Sequence, residues 1–124
     1  MGKKILVVDD DRSTLTVVRN ILQAVGYEVV AVKNATECFK RIKAGGEFDL
    51  VLLDLMMPDV DGNRTFKLLD KVRPNTKVIF MSAVLPSEEI IRYQKSKGIK
   101  RPYITKPFTK DKLLGALREA LGEK

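Results

Sequence analysis

Four short segments of the 124-residue chain set a carboxylate, a hydroxyl or an ammonium directly after an apolar run. Asp9, Asp10 and Asp11 follow Ile5-Leu6-Val7-Val8, and Asp54 follows Leu50-Val51-Leu52-Leu53. Ser82 follows Val78-Ile79-Phe80-Met81, and Lys106 follows Tyr103-Ile104-Thr105. Histidine is absent and there is one cysteine, which excludes His-dependent triads, His-Cys zinc sites and Cys-His nucleophiles. Carboxylates from separate segments, with no nitrogen or sulfur donor beside them, make a hard-oxygen site suited to Mg²⁺. An ammonium and a hydroxyl on the same edge can grip a tetrahedral anion. Together these groups describe phosphoryl transfer, where positioning and charge neutralisation dominate. An aspartate carboxylate can itself be the nucleophile and form an acyl phosphate.

The elements that must position these groups alternate along the chain. Lys4 to Val8, Glu28 to Val32, Asp49 to Leu53, Lys77 to Met81 and Tyr103 to Thr105 read as strands. Between them, apolar residues recur at helical spacing: Leu15, Val18, Leu22 and Val25; Cys38, Phe39 and Ile42; Phe66, Leu69 and Val72; Ile90, Ile91 and Tyr93; and Leu113, Leu114, Leu117 and Leu121. Ser13, Asn34 with Glu37, and Thr109 are the expected helix caps, and Pro86 sits where a first turn could begin. Gly26, Gly45-Gly46, Gly98 and Gly122 mark helix ends. Five βα units with near-continuous apolar strands predict an α/β domain, a doubly wound parallel sheet covered on both faces. In such a fold the ligand site lies outside the carboxyl ends of the strands, which is where the four chemical segments fall.

Length and composition agree with one domain, 1–124, without an output domain. Apolar residues are 44% and charged residues 31%, so a core is affordable and disorder is excluded. No run approaches the ~20 residues of a membrane span, there is no signal-peptide core and a lone cysteine gives no disulfide framework; a cytoplasmic location is expected. The net charge of +7 is local. Arg92 to Lys112 holds eight Lys/Arg against Asp111 alone, and the remainder carries fifteen of each sign. Such a tract suits an acidic protein surface; nucleic acid is the disfavoured alternative, for want of any recognition motif.

The ordered set Ile5-Leu6-Val7-Val8-Asp9-Asp10, Leu52-Leu53-Asp54-Leu55-Met56-Met57-Pro58 with Asp61-Gly62, Met81-Ser82-Ala83 and Thr105-Lys106-Pro107-Phe108 resembles the response-regulator receiver domain of two-component signalling. The likeness covers essentially the whole chain. It implies a five-stranded flavodoxin-like (βα)5 sheet in the order 2-1-3-4-5. It implies Asp54 as the phosphorylated aspartate, with Asp10, Asp54 and the Met56 main-chain carbonyl as Mg²⁺ ligands and Asp9 acting through a water. Lys106 would pair with Asp54 at rest and with a phosphoryl oxygen afterwards. Ser82 corresponds to the hydroxyl switch and Tyr103 to the aromatic switch, and the Lys106–Pro107 peptide is cis in the family.

The resemblance also implies a histidine kinase or phosphotransfer protein as donor and no turnover beyond the domain's own phosphorylation and dephosphorylation. Output would pass to a protein bound on the face of the fourth helix, fifth strand and fifth helix, by a monomer or a phosphorylation-dependent dimer. Met56 and Val84, two residues beyond Asp54 and Ser82, offer no polar group to orient water, so slow self-dephosphorylation is expected. The stretch Gly98-Ile99-Lys100-Arg101-Pro102 departs from the family pattern, and Pro102 has no N–H for a ladder. Asp59-Val60-Asp61-Gly62 superficially matches a phosphatase motif, but Pro58, not a strand, precedes it. Asp11 reads as a surface acid and Cys38 as packing.

Overall fold

The computed structural model describes residues 2–55, 62–83, 88–98 and 101–122. In chain order the elements are β1 (Lys4–Val8), α1 (Arg12–Ala24), β2 (Glu28–Val32), α2 (Ala35–Lys43), β3 (Leu50–Leu53), α3 (Gly62–Val72), β4 (Lys77–Ser82), α4 (Glu88–Lys97), β5 (Tyr103–Thr105) and α5 (Lys110–Leu121). The strands form one parallel sheet in the order β2-β1-β3-β4-β5. Pro86, Met56, Met57, Pro58, Val84, Lys100 and Asp59 to Asp61 lie outside the described residues.

The period-two alternation of strand side chains divides the apolar runs between two cores. Leu6, Val8, Val51, Leu53, Val78 and Phe80 point to the face covered by Cys38 and Ile42 of α2, Phe66 and Leu69 of α3 and Ile90 of α4. Ile5, Val7, Leu50, Leu52, Ile79 and Met81 point the other way, against Val18 and Leu22 of α1 and Leu113, Leu114 and Leu117 of α5. Strands buried on both faces have no polar side to spare, which is why they read as unbroken apolar runs. Cys38 belongs to the packing; burial pushes its thiol up to about 12, so it stays protonated and unreactive.

Capping follows the sequence at Asn34, whose side chain accepts from Glu37 N at 2.8 Å, and at Thr109, which accepts from Lys112 N. The α1 cap differs from expectation: it is Asp11, not Ser13. Asp11 is exposed, as expected, but its carboxylate accepts from Ser13 N at 3.0 Å and Thr14 Oγ1 at 2.8 Å. Those two bonds, the Thr14 hydroxyl foremost, hold its pKa below the usual carboxylate range. Val72 differs too. It ends α3 at 47% exposure rather than joining the core, because the helix has by then run past the apolar layer. Pro102 cannot donate, yet its carbonyl accepts from Phe80 N at 3.0 Å and so extends the β4–β5 pairing by one acceptor.

Candidate functional site

The sheet delivers the expected side chains to one edge because backbone bonds carry the strands slightly past their last paired residues. Asp9 N donates to Val32 O, Asp54 N to Val8 O at 2.9 Å, and Lys106 N to Ser82 O at 2.9 Å. Asp9, Asp54, Ser82 and Lys106 are therefore fixed relative to one another by main chain rather than by loops.

Asp9 is fully buried, Asp54 is 3% exposed and Asp10 is exposed. Carboxylate oxygens from the three lie within 4.8 Å of one another. That is an all-oxygen donor set with hard anionic character, and it fits a small divalent cation such as Mg²⁺ rather than a softer metal. Lys106 Nζ reaches across to the same cluster, 2.5 Å from Asp9 Oδ2 and 3.4 Å from Asp54 Oδ2. The nearer partner is thus Asp9, where the resemblance implied Asp54. The other Asp9 oxygen accepts from Asp11 N at 2.9 Å, so this carboxylate is fixed on one side by main chain and on the other by the ammonium.

The electrostatics of the pair are opposed. Burial lifts Asp9 above the ordinary carboxylate value, reinforced by the charge of Asp54, and the bonds from Lys106 and Asp11 N only partly offset it. Desolvation alone would lower Lys106, but its hydrogen bond to Asp9 and the charges of Asp9 and Asp54 outweigh that and leave it above the ordinary lysine value. Lys106 is therefore a fixed cation at neutral pH. The cluster holds three carboxylates, of which Asp9 and Asp54 pair with this one ammonium, and the excess of negative charge favours a further cation among them.

Ser82 is fully buried at the end of β4. Tyr103 is half-buried against the α2–α3–α4 core, and its hydroxyl lies 3.5 Å from the Ser82 carbonyl, the long limit of a hydrogen bond. The Lys106–Pro107 peptide is cis.

With this geometry in hand, the comparisons are specific. The sequence pattern described as "Response regulator receiver domain" matches residues 5–118. The chain belongs to the response regulator receiver family. It is 31% identical to the chemotaxis protein CheY of Thermotoga maritima, over 96% of this receiver and 98% of that protein. It is 34% identical to the DNA-binding transcriptional regulator NtrC of Rhizobium meliloti and 35% identical to the transcriptional regulatory protein ZraR of Klebsiella oxytoca. Of those two it spans only 25% and 26% respectively. Among solved structures, a CheY-like receiver domain from Methanospirillum hungatei JF-1 superposes with a TM-score of 0.86 at 33% identity, covering 98% of this chain and 95% of that one. Among the described residues, no helix of the receiver is long and apolar enough to cross a membrane.

Sequence reasoning missed one feature. Asp70 on α3 accepts from Tyr93 Oη at 2.8 Å and from Arg101 at 3.1 Å, and Gln94 Oε1 accepts from Arg101 N at 2.6 Å. Lys67 pairs with Glu89 beside it. This polar clasp ties α4 to α3 and to the segment entering β5. It also internalises one charge of the basic tract, as Lys106 does another.

Proposed function

We propose that Asp54 accepts a phosphoryl group from a phosphohistidine of a sensor kinase or phosphotransfer protein, and that the receiver signals through the protein it then binds. The observation that supports this most is the reach of Lys106 across the sheet edge to both Asp9 and Asp54, 2.5 and 3.4 Å away. An Asp54 oxygen attacks phosphorus, the P–N bond breaks and the imidazole leaves, giving an aspartyl phosphate. Lys106 neutralises an oxygen of the arriving group, and its raised pKa keeps it charged throughout.

Asp10, Asp54 and the Met56 carbonyl are the proposed direct ligands of Mg²⁺, which when bound supplies charge neutralisation between carboxylate and phosphoryl oxygens. Both Asp9 oxygens are engaged by Asp11 N and Lys106, which supports its acting through a water. The Ser82 hydroxyl follows the phosphoryl group, and Tyr103, whose hydroxyl lies 3.5 Å from the Ser82 carbonyl, turns with it. The setting is read as cytoplasmic and the output surface as α4, β5 and α5, open to an acidic partner, with Arg92, Lys95, Lys97, Lys110 and Lys112 exposed.

Intact-mass measurement with a small phosphodonor, with and without Mg²⁺, tests the proposal: a metal-dependent gain of one phosphoryl group is expected. Two further outcomes follow. Mg²⁺ alone should raise the thermal midpoint, by roughly 1.4 kcal/mol at ten times its dissociation constant. Asp10→Asn should remove most of that rise; an undiminished rise would move the metal elsewhere. Because Met56 and Val84 bring no water-orienting group, the phospho-form should persist for minutes or longer. Decay within seconds, followed by mass, would contradict this.

A further inference from the structure

A second cluster of charge stands beside the acidic edge and is invisible to a count along the chain. α1 packs on one face of the sheet and α2 on the other, and both depart from its carboxyl edge near the outermost strand, β2. With no strand beyond β2, the two helices leave a cleft of about 510 Å³ over its end. Arg12 and Arg19 of α1, Lys33 after β2 and Arg41 of α2 line it, with the carboxylates Asp10 and Glu37. The balance is two positive charges.

Among the described residues, none of these four cations makes an ion pair with a carboxylate. By contrast Arg92, Arg101 and Lys106 of the basic tract all have internal acidic partners. Four like charges from three segments, outnumbering the two carboxylates of the cleft and ion-paired with neither, lower its affinity for cations and raise it for anions. Arginine forks bind phosphate and carboxylate oxygens in pairs. The volume is that of a small-molecule site, not of a macromolecular interface. No aromatic side chain lines it, so it has no platform on which a nucleobase could stack.

We propose that this cleft is a binding site for a small oligophosphate, recognised through its phosphate chain by Arg12, Arg19, Lys33 and Arg41; it adjoins the phosphoryl-transfer edge at Asp10, but none of its four cations belongs to the Asp54 site. The chain could be inorganic or belong to a nucleoside triphosphate.

The test is calorimetric titration of the full receiver with tripolyphosphate and, separately, ATP, in metal-free buffer so that chelation plays no part. Expected are saturation at one equivalent and affinities for the two ligands within about threefold, as phosphate-chain recognition requires. The double variant Arg19→Glu with Arg41→Glu should lose at least about tenfold in affinity, whereas Arg92→Glu with Lys95→Glu, of equal charge change, should lose less than about twofold. All four positions are exposed, and circular dichroism checks that each variant keeps the native fold. Binding that never saturates, or falls equally in both double variants, would reduce the cleft to general electrostatics and overturn the proposal. So would ATP binding more than about tenfold tighter than tripolyphosphate, which would demand a base contact, or hexaglutamate binding tighter than either.

Discussion

Asp54→Asn is expected to lower phosphoryl incorporation from a small donor by at least about a hundredfold, with the fold intact. The substitution keeps size and one acceptor oxygen but removes the carboxylate proposed as the nucleophile. The side chain is 4% exposed and 3.4 Å from Lys106 Nζ, in a setting with two other carboxylates. Removing one negative charge from a cluster of three relieves like-charge repulsion, so thermal stability should hold or rise by up to about 1 kcal/mol. The two readouts move in opposite senses, and that is the signature of a functional acid held against its neighbours. Undiminished incorporation in Asp54→Asn, read by intact mass, would reassign the acceptor. A loss of incorporation together with a fall in melting temperature would make Asp54 a structural residue.

The sequence exposes the strand ends because a doubly buried strand must be apolar until it leaves the sheet. The first charged residue after each run therefore marks the edge, and Asp9, Asp54 and Lys106 are found there together. Side-chain partners are less accessible. Lys106 meets two acids, and that Asp9, held on its other oxygen by Asp11 N, is the nearer partner has no signal in the sequence. The α1 cap could not be chosen from residue type, since Asp and Ser cap equally well. The turn after Asp9 sets the phase and selects Asp11.

Contacts that span the chain leave no periodic trace at all. Asp70 meets Tyr93 and Arg101 at separations of 23 and 31 residues. The cleft gathers positions 12, 19, 33 and 41 from a part of the chain whose charges balance. The basic tract is correspondingly less of a uniform surface than its count suggests: Lys106 turns into the edge, and Arg101, at 15% side-chain exposure, is spent on Asp70. What remains exposed of the tract among the described residues is the set on α4 and the start of α5.

α4 belongs to the proposed output surface, and Asp70→Ala should unseat it at a cost of about 3 kcal/mol, or roughly 10 °C in melting temperature. α4 fully buries Ile90 and Gln94 and packs the Tyr93 ring against Phe66, so its apolar attachment is narrow and the polar contacts of Tyr93 and Arg101 matter beside it. Asp70 at 10% side-chain exposure accepts from both Tyr93 and Arg101, and Arg101 Nε is already buried without a partner. Truncating Asp70 strands a guanidinium with no counter-charge, which is the expensive way to break a buried pair. Asp70→Leu combined with Arg101→Met removes both charges and should recover most of the loss, because a buried pair and its apolar replacement come close to breaking even. Urea unfolding with an unchanged slope would separate this from altered compactness.

A spectroscopic readout tests the same contact independently. Burial first, then the hydrogen bond to Asp70 and the charge of Asp70, lift the Tyr93 hydroxyl above its ordinary value of 10.0. Its contribution to stability is thus complete below that value and lost as pH rises through the higher folded one. Asp70→Asn removes the charge, so the Tyr93 absorbance titration, isolated by difference from Tyr93→Phe, should move down toward 10.0. A titration that stays in place would assign the lift to burial alone. Asp70→Ala melting with the unaltered receiver would mean that α4 is held by Ile90 and its neighbours, and that the clasp carries none of its position.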